Sequence, residues 1–282
     1  MDLEIEKAIG GHYVVWRFNR PRVLNAMTDE MILDLGDAVA DFASDPRMRA
    51  AILTGTGRSF SVGADLKSMS ERNALTDDIE PRISGNDPDG SGPAAAPADP
   101  RMPYSLGVEA VPKFPFGNCP KPVIAAVNGL CIAGGMEMAI DCDIRIATPD
   151  ARFGLFEAKR GIMAGVAVQH LARVLPVNEA MHLLLTCDTM NADRAHQLGF
   201  LQQVTPAGTL MDRAVEIAEM ISANAPLAVQ GSKAMVQFWR HFGATEARRL
   251  QQYVSDKVLA SRDAREGPLA FAEKRPPNWV GA

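Results

Sequence analysis

Glu137 and Glu157 are two acids set in apolar or glycine-rich surroundings. Glu137 falls in the first turn of a helical pattern opened by Gly134-Gly135. Paired glycines at a helix start leave backbone N–H groups pointing outward and let a ligand or another backbone approach closely. The positive end of the helix adds attraction for an anion. A carboxylate beside such a site suits acid–base chemistry on a group that becomes an oxyanion. A helix packed tightly on a strand, with Glu137 favouring the dipole, would use the same residues. A second glycine-punctuated turn runs through Gly55, Gly57 and Gly63 to Ala64-Asp65-Leu66-Lys67. There a strand ends and a helix restarts, which again exposes backbone N–H groups. Two carboxylates can act as general base and general acid across one substrate. Their separation in sequence, 157 − 137 = 20 residues, spans an intervening strand and does not by itself give proximity.

Other chemistries find less support. The five histidines, His12, His170, His182, His196 and His241, form no H-x-x-x-H pair, and no metal site is expected. No serine stands in G-x-S-x-G, and neither nucleotide-loop glycine spacing occurs. The four cysteines, at 119, 131, 142 and 187, show no zinc spacing and read as reduced thiols of a cytoplasmic protein. A net charge of −5 offers no general attraction to nucleic acid or anionic membrane. No leader is expected at the first residues, and no apolar run is long enough to span a bilayer.

The elements that must position the acids follow from pattern. Two short strands are expected between Ile5 and Phe18, broken at Gly10-Gly11. Thr28 caps a helix to about Ala43, with Met31, Leu35, Ala38, Val39 and Phe42 on one face and five acids on the other. Strands are expected at 50–54, 122–127, 143–147 and 200–205, and short helices at 166–174, 177–185 and 191–199. The remainder, 209–224, 226–239, 243–261 and 263–274, reads as helical, with Pro226 suited to a first turn. Residues 73–103 are rich in Pro, Gly, Asp, Ser and Ala, the composition of a surface flap or a disordered insertion.

Five stretches in order carry a resemblance. They are Asn19-Arg20-Pro21 with Leu24-Asn25-Ala26, then Phe60 to Leu66, Ala133 to Glu137, Phe153 to Glu157, and Glu266 to Arg275. Together they are similar to the crotonase superfamily, the enoyl-CoA hydratase/isomerase family, over nearly the whole chain apart from 73–110. The resemblance implies an α/β fold: a spiral of ββα units over 1–205 and a helical trimerisation region over 206–282. It implies an acyl-CoA thioester substrate, with coenzyme A part of the substrate and no separate cofactor. The backbone N–H groups of Ala64 and Gly134 would form an oxyanion hole. Glu137 would activate the water that adds at the β-carbon of a trans-2-enoyl-CoA, and Glu157 would deliver a proton to the α-carbon. Arg22, Leu24, Ala64, Asp65, Leu66, Lys67 and Gly134 fall at substrate-contacting positions. Phe271 and Lys274 would come from a neighbouring subunit of a trimer or hexamer. Solvated charge is the plain alternative for the two lysines.

Three positions depart from the hydratase pattern: Ala133 replaces a common glycine, and Phe156 and Ala164 each replace a proline. They alter the backbone near Glu157 and bear on acyl length. An isomerase or another acyl-CoA dehydratase would keep the same oxyanion hole. One branch of the superfamily binds RNA, but the helix over 28–43 here carries no Lys or Arg. A non-catalytic relative would not need both acids and both glycine turns.

Overall fold

The computed structural model describes residues 2–8, 11–67, 116–117, 119–206 and 208–282. The expected flap at 73–103 lies outside the described residues.

Strands β1 (Leu3–Lys7) and β2 (Tyr13–Phe18) pair antiparallel. Thr28 Oγ1 accepts from Met31 N at 3.2 Å and opens α1 (Asp29–Ser44), whose expected apolar face is buried. Then β3 (Ala50–Gly55) joins the first sheet and β4 (Ser59–Ser61) starts a second. The chain repeats that alternation. β5 (Val123–Val127) enters the first sheet and β6 (Leu130–Ile132) the second, followed by α2 (Gly134–Asp141). β7 (Ile144–Ala147) enters the first and β8 (Arg152–Gly154) the second. A helical turn α3 (Ala167–His170), α4 (Val177–Thr186), β9 (Thr189–Asn191), α5 (Ala192–Gln197) and β10 (Gln203–Val204) complete the two sheets. Their orders are β1-β2-β3-β5-β7-β10 and β4-β6-β8-β9. Each turn of the spiral thus adds one parallel strand to each sheet.

The central strands are buried on both faces, as parallel strands usually are. Ala51, Leu53, Val123, Ala125 and Val127 face the large core between the sheets, with Trp16, Phe18, Phe60 and Phe153. Ala50, Ile52, Ile124 and Ala126 face the other way, onto α6 (Leu210–Ser222). Helices α7 (Pro226–Phe242), α8 (Ala244–Leu259) and α9 (Arg262–Glu273) follow, with Pro226 in the first turn of α7. No helix among the described residues is long and apolar enough to cross a membrane.

Two expected elements are shorter than the pattern suggested. The helix over 166–174 divides into α3 and a 3-10 turn, Leu171–Arg173. The strand over 200–205 pairs only at Gln203 and Val204. Phe200 N and Leu201 N are bound back to Ala195 O, at 2.9 and 3.2 Å, and so belong to the end of α5.

Candidate functional site

Three neighbouring parallel strands bring the expected site together. In the second sheet Ser61 pairs with Cys131, and Cys131 with Phe153. The turns after β4, β6 and β8 therefore leave from one edge of the sheet, at the carboxyl ends of its strands. That is where open α/β sheets present their sites. Ala64 follows β4, Gly134 and Glu137 follow β6, and Glu157 follows β8. The twenty residues between the acids are one repeat of the spiral, which sets them on adjacent strands.

The first two turns touch. Gly63 has φ +89°, and a Cβ there would lie 2.9 Å from both Ala133 Cβ and Gly134 N. A Cβ on Gly135 would overlap the Ser61 carbonyl oxygen. Glycine at both positions lets the β4 turn seat against the start of α2. Ala133 keeps a left-handed φ of 51° without being glycine, with its N–H donating to Gly154 O at 2.8 Å. Gly134 N is the first amide of α2 and has no partner within the helix. Among the described residues, neither it nor Ala64 N donates to a protein acceptor. Two adjacent amide donors, both on half-buried residues, are thus available.

Glu137 is 2% exposed, and its Oε1 accepts from Val166 N at 2.8 Å and Ala167 N at 2.9 Å. These amides open α3, so the carboxylate is fixed by a neighbouring turn. Glu157 is also buried and starts a 3-10 turn, Glu157–Arg160. The chain from Glu157 to Val166 then runs directly from one acid to the amides that hold the other.

The segment Asn19–Met27 laces the Ala64 turn in place. Asn25 is fully buried at φ 57°. Its side chain accepts from Arg20 N (2.9 Å) and donates to Thr56 O (3.0 Å) and Ser59 O (2.7 Å). Ser61 Oγ donates to Asn25 O at 2.8 Å and accepts from Gly63 N at 3.1 Å. Arg20 Nη1 bridges Ala26 O (2.7 Å) and Asp65 Oδ2 (3.0 Å), while Met27 and the turn exchange two backbone bonds of 2.8 Å. Sequence reasoning carried Arg20 and Asn25 only as parts of a family stretch. Their local signal is asparagine's tolerance of left-handed backbone beside a proline turn. The Val166 and Ala167 amides were also missed, since any residue supplies an N–H.

The remaining expected residues are placed as follows. Arg22 is exposed on the 3-10 turn Pro21–Val23, and Leu24 is half-buried with φ 55°. Asp65 is half-buried, while Leu66 and Lys67 are exposed beside it. Phe271 is 87% exposed on α9, and Lys274 follows that helix with φ 54°. Among the described residues no cluster of His, Cys, Asp and Glu could hold a metal ion.

Comparison with known proteins agrees with this fold. A family model described as enoyl-CoA hydratase/isomerase matches residues 10–85 and 115–282. The chain is 36% identical over 272 residues to enoyl-CoA hydratase EchA19 of Mycobacterium tuberculosis, covering 95% of this chain and 93% of that one. It is 35% identical over 271 residues to carnitinyl-CoA dehydratase of Escherichia coli K12, covering 93% of each. The crystal structure of enoyl-CoA hydratase EchA1 from Mycobacterium marinum superposes with a TM-score of 0.82 at 31% identity, covering 100% of this chain and 99% of that one. With its ββα spiral of the crotonase type, the chain belongs to the enoyl-CoA hydratase/isomerase family, a family of enzymes.

Proposed function

We propose that this enzyme is a lyase that adds water to a trans-2-enoyl-CoA to give the 3-hydroxyacyl-CoA. The observation that supports the reading is the placement of two buried acids and of two amides with no acceptor among the described residues, on the turns that follow β4, β6 and β8. The thioester carbonyl oxygen lies between Ala64 N–H and Gly134 N–H, which stabilise the charge that develops there. Glu137, fixed by two amides, and Glu157 hold one water between them, and Glu137 takes a proton from it as the oxygen adds to the β-carbon. The electron pair of the double bond moves onto the carbonyl oxygen as an enolate. Glu157, protonated at the start, gives its proton to the α-carbon and collapses the enolate to the thioester. Exchange with solvent returns both acids to their starting states.

Arg22, Leu24, Asp65, Leu66 and Lys67 flank the oxyanion turn and contact the acyl-CoA. Phe271 and Lys274 contact it from a neighbouring subunit, which fits the exposure of Phe271. The partner is a second copy of the chain, in a trimer or a pair of trimers. An apolar groove of about 690 Å³ between α7 and α8, lined by Met235, Val236, Trp239, Val254 and Leu259, supports that assembly. The spiral of 1–205 is then the catalytic unit and 206–282 the assembling one.

Loss of conjugated-thioester absorbance across a series of enoyl-CoA chain lengths tests the activity. A chain that hydrates none of them, yet dehydrates carnitinyl-CoA, would move the reading to the dehydratase suggested by the 35% relative. Sedimentation of a stable, active monomer would remove the subunit-sharing part.

A further inference from the structure

Arg145 lies on β7 at the far end of the helix that carries Glu137, and it is 7% exposed. Its guanidinium reaches the last carbonyls of α2. Nη1 donates to Cys142 O at 2.6 Å, Ala139 O at 3.3 Å and Ile140 O at 3.5 Å. Nε donates to Phe200 O at 2.7 Å, and the group stacks 5.1 Å from the Phe200 ring centroid. Among the described residues no carboxylate forms an ion pair with it. The two nearby acids are engaged elsewhere. Asp143 pairs with Lys233 Nζ at 2.6 Å. Asp141 accepts from Gly117 N at 3.1 Å and lies 3.5 Å from His170 Nδ1. Burial pulls the Arg145 guanidinium below its ordinary pKa, and Arg240 adds to that pull. A neutral donor could satisfy the same carbonyls at a lower desolvation cost.

We infer that Arg145 is a positioning residue whose buried charge caps the negative pole of α2 and so strengthens the positive pole at Gly134. This rests on the proposed role of Gly134 N–H as an oxyanion donor. An eight-residue helix is about 12 Å long. A unit charge that far from a developing enolate, at an effective dielectric of about 20, changes the equilibrium by about tenfold. The field of the charge, directed along the helix, reaches the thioester without Arg145 touching it.

The test compares Arg145→Gln with Arg145→Lys, which keeps the charge but loses the planar fork. The probe is a 4-dimethylamino-cinnamoyl-CoA, whose absorbance moves to longer wavelength as its carbonyl is polarised. Wild type should shift the bound probe. Arg145→Gln should lose part of that shift and about tenfold in kcat, with KM little changed. Arg145→Lys should keep the shift and stay within about twofold in kcat, even with a lower Tm. If Arg145→Gln does not fold, Arg145→Lys decides alone, since a folded variant without the shift would overturn the inference. A folded Arg145→Gln with wild-type shift and kcat would overturn it too and leave only a structural cap. Wild type failing to shift the probe would instead refute the oxyanion reading and this inference with it.

Discussion

Replacing Asn25 with alanine should damage both the fold and the reaction, although Asn25 does not enter the proposed chemistry. The side chain makes three hydrogen bonds inside the protein. Ser59 O keeps a second donor, Asn128 Nδ2 at 3.1 Å, so the loss falls on Arg20 N and Thr56 O. Each of these half-buried groups left unpaired costs about 1 kcal/mol. Alanine at φ 57° adds about 1 kcal/mol more than asparagine. The sum is about 3 kcal/mol, or a fall in Tm of roughly 6–12 °C for a chain of this size. Asn25→Gly removes the same bonds without the backbone penalty, so it should recover about 1 kcal/mol and keep a loss of about 2 kcal/mol. Because the bonds hold the Ala64 turn, an ångström of movement there should cost about 10²-fold in kcat with little change in KM. Thermal melts and hydration kinetics at fixed chain length provide the measurement. Wild-type Tm and kcat in both variants would refute the idea that this segment sets the oxyanion turn.

Three further outcomes follow from particular contacts. Ala133→Gly should raise stability by about 1 kcal/mol by relieving the left-handed backbone, whereas Gly135→Ala should give little folded protein because its Cβ would overlap Ser61 O. Melting and soluble yield check the pair. The Arg275 guanidinium, with help from Asn278 N–H, holds Glu266 at about 2, below its ordinary 4.5. The carboxylate is lowered on folding, so its contribution is complete above pH 4.5 and is lost as pH falls through about 2. Amide protection at Asn278 should fall across that window, and constant protection would contradict the assignment. RNA should not bind at physiological salt, since α1 presents Asp29, Glu30, Asp34, Asp37 and Asp41 outward. A filter-binding titration with micromolar affinity and a steep salt slope would overturn this.

The long elements were legible because their periods are clear. The buried face of α1 and the cap at Thr28 could be read directly, as could the strands at β3 and β5 and the last helices. The second sheet was much harder to read. Strands β4, β6, β8 and β9 have three residues each, too few for any alternation to register. Without them a twenty-residue gap between two acids has no spatial meaning. The glycines of the site were readable as close approaches, but what they approach was not. Gly63 meets Ala133 and Gly134 only because two three-residue strands pair in parallel. Likewise nothing in Val166-Ala167 marks them as the donors that hold Glu137.

In the proposed hydration Glu137 and Glu157 act on one water molecule. Hydration rates for Glu137→Gln, Glu157→Gln and the double variant, measured beside binding of a non-reactive acyl-CoA, test it most directly. Losing a positioned general acid or base typically costs about 10²–10⁴-fold. Each single substitution should show a loss of that size with acyl-CoA binding nearly intact. The double variant should be little worse than the poorer single one, because groups acting as a unit are far from additive. Near-wild-type hydration by both single variants would place the chemistry on other residues. Losses that multiply in the double variant would mean that the two acids do not share a water.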